Sequence, residues 1–123
     1  MEGYSVISYK EKNIHYFDYS AIGHSNEKVI ELLRFATGEY QKLPPKSALV
    51  LVNLLNLHIT MDVLNVFKEE RLKSAPFEKK IAAIGLKGVL GLAYNFMVGF
   101  GQGNDYIKAF ETEDQAKEWL VSD

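Results

Sequence analysis

The sequence predicts an α/β fold built on one mostly parallel sheet. Two runs rich in aromatic and β-branched residues open the chain. Two nearly continuous apolar runs of strand length follow, over 48–54 and 81–86. Stretches with apolar residues three and four apart separate the strands. Strands that alternate with helices need crossover connections, and crossovers make parallel pairs.

Residues 4–9 and 14–19 read as the two strands of a hairpin. Glu11, Lys12 and Asn13 separate them, with Asn13 as the residue suited to positive φ. Ser25 or Asn26 caps the first helix, whose stripe is Val29, Leu32, Leu33, Ala36 and Tyr40. Leu43, Pro44 and Pro45 stop it, because proline lacks the amide and clashes with the preceding turn. The run over 48–54 reads as a strand covered on both faces. Thr60 caps a second helix, with Val63, Leu64, Phe67 and Leu72 inward and Lys68, Glu69, Glu70 and Arg71 outward. The strand over 81–86 leads through Gly85 and Gly88 to a third helix over 89–100. Gly99, Gly101 and Gly103 close that helix, and 106–110 is a last short strand. Thr112 and Gln115 form a capping box for a closing helix that turns Ala116, Trp119 and Leu120 inward. The predicted order is ββαβαβαβα: about five strands, the first antiparallel, and four helices.

The chain of 123 residues fits a single domain over 1–123. It contains no cysteine, which removes disulfides, thiolate metal sites and cysteine nucleophiles and agrees with a cytoplasmic location. A net charge of −2 gives no long-range pull toward phosphate backbones, so nucleic acid is not expected as a partner. The first residues lack the pattern of a signal peptide, and no apolar run reaches the roughly 20 residues of a transmembrane helix.

Several short segments carry a family resemblance. They are Asp18-Tyr19-Ser20 after the hairpin, Pro45-x-Ser47 before an apolar strand ending Val52-Asn53, and Ala83-Ile84-Gly85-x-x-Gly88 before an apolar helix. The fullest is Ala109-Phe110-Glu111-Thr112-Glu113-Asp114-Gln115-Ala116-x-x-Trp119-Leu120. Together they span nearly the whole chain, which resembles the SpoIIAA-like proteins of STAS and SEC14 type. The resemblance implies a small sheet with helices around it. It also implies either a regulatory module, switched in some relatives by phosphorylation of a Ser or Thr, or a lipid carrier. Where phosphorylated relatives have an Asp-Ser-Ser-Gly-type motif, this chain has Asn56-Leu57-His58-Ile59-Thr60-Met61. Thr60 is the candidate equivalent of the phosphorylated residue, and the acidic residue and the glycine are missing.

Ligands of open α/β folds bind beyond the carboxyl ends of the strands. That rule gathers Asp18, Ser20, Asn53, Asn56, His58, Thr60, Lys87 and Thr112 on one rim, joined by His24 from the start of the first helix. Such a rim could hold a polar head group, and the plainer account is that turns and caps use these residue types. Thr60 likewise reads as a cap, or as a hydroxyl whose phosphate would meet free helix amides. The predicted third helix carries Leu90, Leu92, Tyr94, Phe96, Met97 and Phe100, with Asn95 its one clearly polar side chain. A helix apolar all round is covered on several sides. The cover would be a second subunit, the protein's own closing helix and glycine loop, or a lipid or membrane surface. Gly91 within it suits a close backbone approach.

The three histidines show no metal-ligand spacing, and the glycine-rich runs match neither a P-loop nor a dinucleotide fingerprint. No metal or cofactor is therefore expected. An enzyme would need Asp18 and His58 within reach of each other in a polar pocket. The function expected from the sequence is a non-enzymatic regulatory or interaction module that forms homo-oligomers through the third helix or binds a regulatory protein. The alternative is a carrier for a lipid or small apolar molecule.

Overall fold

The computed structural model describes residues 1–85 and 106–122. Strands Tyr4–Tyr9 (β1) and Lys12–Asp18 (β2) pair antiparallel, with Tyr4 opposite Phe17 and Tyr9 opposite Lys12. Only Lys10 and Glu11 make the turn, at φ values of 48° and 68°. Positive φ at both central residues suits the right-handed twist of the flanking strands. This corrects the expected turn: Lys12 and Asn13 lie in β2, and Asn13 faces Ser8. Register is the reason. Ile14 and Phe17 are buried on opposite faces, and a slip of one residue would reverse both. Left-handed backbone costs a non-glycine residue roughly 1–2 kcal/mol. Glu11→Gly is therefore expected to stabilise the protein by about 0.5–1 kcal/mol after the glycine's own chain entropy. Urea denaturation checks this, and a lower midpoint would count against the turn geometry.

Strands Ala48–Asn53 (β3), Glu78–Ile84 (β4) and Ile107–Ala109 (β5) complete a sheet of order β1-β2-β3-β4-β5. From β2 onward every neighbouring pair is parallel. The mixed five-stranded sheet and its antiparallel first pair agree with the sequence. β4 starts three residues earlier than predicted. A single 3-10 turn, Ala75–Phe77, brings its start beside β3, where Ser47 N donates to Phe77 O at 3.1 Å and Ala48 pairs with Glu78.

The described helices are Asn26–Tyr40 (α1), Met61–Ser74 (α2) and Glu113–Val121 (α3). The predicted helix over 89–100, with Leu90, Leu92, Tyr94, Phe96, Met97 and Phe100, lies outside the described residues, as does Lys87. α1 and α2 share one face of the sheet, where Val29, Leu32, Tyr40 and Val63 meet Phe17, Val50, Ile81 and Ala83. α3 covers the other face, where Ala116 and Leu120 meet Ile14, Leu49, Leu51 and Ala82. β3 sends Ala48 and Val50 to one layer and Leu49 and Leu51 to the other, so its apolar run has no polar gaps.

The last turn of α3 is tied down by cations. Lys80 Nζ donates to Trp119 O at 2.9 Å and Ser122 O at 2.7 Å, and Lys12 Nζ donates to Val121 O at 3.0 Å. Carbonyls there have no partner within the helix, and positive charge suits that end of its dipole.

The phase of α2 differs from the sequence expectation. Glu70 and Arg71 are each only 6% exposed, whereas Leu72 is 62% exposed. Val63, Val66, Glu70, Arg71 and Ser74 form the buried face, with Leu64 and Phe67 half-buried beside them. From Val63, steps of three and four residues reach 66, 67, 70, 71 and 74. Leu72 sits about 100° further round.

Candidate functional site

At the carboxyl ends of β2 and β3 the side chains named from the sequence serve the backbone. Asp18 Oδ1 accepts from Ser20 N at 2.9 Å. Asn53 Oδ1 accepts from Leu55 N at 3.1 Å, while its Nδ2 donates to the Tyr16 hydroxyl at 3.4 Å. Thr60 is the N-cap of α2: its Oγ1 accepts from Val63 N at 3.2 Å and donates to Asn26 Oδ1 at 3.3 Å. That second bond joins the starts of α1 and α2. Thr112 caps α3 by accepting from Gln115 N at 3.2 Å.

The chain between β3 and α2 is pinned along its length. Leu54 N donates to Ile84 O and His58 N to Gly23 O, both at 2.9 Å, while the Leu54 and Leu57 side chains are buried. A Cβ at Gly23 would lie 2.4 Å from Asn56 O, so only glycine lets this loop touch the one before α1. Asn56 takes φ 63°, a value asparagine tolerates better than most residues. The contact sets His24 against His58, with ring centroids 4.3 Å apart and planes at 67°. Both rings are exposed. Residues 24 and 58 are far apart in sequence, and a glycine beside a histidine was the only local sign of a close approach. Among the described residues no cluster of three or more His, Cys, Asp or Glu could hold a metal ion.

Asp18 and His58 are not joined as an acid–base pair: the carboxylate is turned onto Ser20 N, and His58 lies against His24. Two large apolar side chains stand out beside the polar ones. Leu55 is 41% exposed and Met61 is 70% exposed. Leu55 precedes His58 on the pinned segment, and Met61 follows it as the first residue of α2.

A second feature escaped the sequence. A cavity of about 60 Å3 lies between the sheet and the α1/α2 layer. Phe17, Val50 and Leu54 are among its apolar walls, and Tyr19, Tyr40, Arg71 and Glu78 also border it. Arg71 Nη1 binds both carboxylate oxygens of Glu78, 2.5 Å from Oε1, and Nη2 donates to the Tyr106 hydroxyl at 3.2 Å. Among the described residues Arg71 Nε has no acceptor. Burial pushes the Glu78 carboxyl up, against the pull of Arg71. Burial works against the Arg71 charge, but the Glu78 carboxylate outweighs it and raises the guanidinium's value. Burial alone pushes the Tyr19 phenol well up, and burial followed by the charge of Glu78 does the same for Tyr40. Sequence patterning placed Arg71 in solvent because a charged residue reads as exposed until its partner is known.

Comparison of the chain with protein-family models, with curated proteins and with solved structures found no match. Among the described residues no helix is long and apolar enough to cross a membrane.

Proposed function

We propose that this chain is a non-enzymatic regulatory module of STAS type that works by docking to a second copy of itself. The observation that carries this reading is the connection from β3 into α2, which exposes Leu55 before His58 and Met61 after it, at the first residue of α2, on a backbone held by hydrogen bonds at Leu54 and His58. Exposed apolar side chains on a fixed backbone lose little entropy when covered, which favours association. The stretch 89–100 is apolar in sequence, which agrees with a chain that associates through apolar side chains. The resemblance in the Asp18-Tyr19-Ser20 and Thr112-to-Leu120 segments supports the family assignment.

Sedimentation velocity tests it. The unmodified protein should run as a dimer at low micromolar concentration, and Leu55→Ser/Met61→Ser should shift it to monomer with an unchanged far-UV spectrum. If that double variant stays dimeric while Leu92→Lys dissociates, the contact belongs to 89–100. A monomer at all concentrations would remove self-docking and leave a regulatory protein as the partner to be sought.

A further inference from the structure

We propose that the cavity between the sheet and the α1/α2 layer binds a neutral molecule that offers one carbonyl oxygen to Arg71 Nε and lays its apolar body along Leu33, Val52 and Phe67. The site shares the buried Leu54 with the connection into α2 but neither of the docking side chains, Leu55 and Met61, so either assignment can fail without the other.

The unused donor sets the chemistry of the head. Arg71 is buried, and its guanidinium can only donate. A carboxylate usually grips arginine side-on through two nitrogens. Here Nη1 alone takes both oxygens of Glu78, and Nη2 takes Tyr106, which leaves Nε–H without an acceptor among the described residues. Buried donors are rarely left so. Two phenols, Tyr19 and Tyr40, also border the cavity and can donate or accept. Arg71 Nε–H can only donate, and it therefore calls for an acceptor.

Charge and size set the rest of the ligand. Glu78 already matches Arg71, and Lys73 lies 3.3 Å from Glu70, so an anion would add an uncompensated negative charge to a buried site. The remaining wall is aliphatic and aromatic. A cavity of about 60 Å3 is less than half of the roughly 150 Å3 that takes a benzene ring. Only a carbonyl head fits within it. The body must follow Leu33, Val52 and Phe67, which are half-buried members of the wall.

The test follows the Arg71 Nε–H resonance of the unmodified protein by proton–nitrogen NMR. Decan-2-one should shift this resonance in a saturable way, and decane, with the same apolar length and no acceptor, should leave it in place. Decanoate should bind at least about ten-fold more weakly than the ketone, because it would bring an uncompensated negative charge into a buried site. Ala36→Leu, which extends a side chain from the cavity wall, should weaken the ketone by a similar factor. Butan-2-one separates the sources: equal affinity for the two ketones means a small free carbonyl compound, and a strong preference for the longer means a lipid-sized one. The proposal is overturned if neither ketone moves the resonance up to its solubility limit, if decane binds as well as decan-2-one, or if decanoate does. These comparisons use the unmodified chain, so they decide the matter even if Ala36→Leu does not fold.

Discussion

Arg71→Leu is expected to lower stability by about 3–5 kcal/mol, and Arg71→Leu/Glu78→Leu by far less. The single change leaves the Glu78 carboxylate, 2% exposed, in the interior without its counter-charge. It also removes a hydrogen bond from Tyr106. The double change removes both charges and fills the same space with aliphatic groups. The pH dependence has a definite sign. Burial raises the Glu78 carboxyl even with Arg71 present. A raised carboxyl binds its proton more tightly in the folded state, so its contribution is full in acid and is lost as pH rises through the folded value. Without Arg71 that value rises further. The deficit of Arg71→Leu should therefore be small near the ordinary carboxylate range and grow toward neutrality. Urea denaturation at several pH values measures it; a flat, small deficit would mean the ion pair does not hold α2 to β4.

Gly85→Ala should cost about 2–5 kcal/mol, the sum of left-handed backbone and steric overlap. Gly85 has φ 77°, and a Cβ there would lie 2.6 Å from Leu55 N and 2.8 Å from Asn53 Oδ1. Those two atoms form the hydrogen bond that starts the β3–α2 connection. The overlap involves backbone, so it cannot be relieved by swinging a side-chain tip aside. Amide spectra of the variant should change most at Leu55 to His58, and self-association should weaken with them. A variant as stable as the parent, with those amides unmoved, would contradict the packing at the end of β4.

The hairpin shows where legibility stops. Its strands were evident from aromatic and β-branched residues, yet the turn moved from Glu11, Lys12 and Asn13 to Lys10 and Glu11. Asn13 has the stronger intrinsic turn preference. Burial of Ile14 and Phe17 on opposite faces outweighs it, because register is set by a whole strand and not by one residue. The caps at Thr60 and Thr112 were legible, since helix starts announce themselves locally. The meeting of His24 with His58 was not, because it depends on how closely two loops approach at Gly23.

By itself the sequence determined the α/β class, the antiparallel opening, the double-faced burial of β3 and the caps at Thr60 and Thr112, and it narrowed the first cap to Ser25 or Asn26. Each rests on a pattern within about ten residues, where period, turn chemistry and hydroxyl spacing act directly. Only the tertiary structure decided that α2 turns Arg71 inward and Leu72 outward, and that a cavity lies beside the Arg71–Glu78 pair. A charged side chain belongs in water unless an opposite charge waits inside. Whether Glu78 waits there is set by where β4 begins beside β3, which no local pattern on α2 encodes.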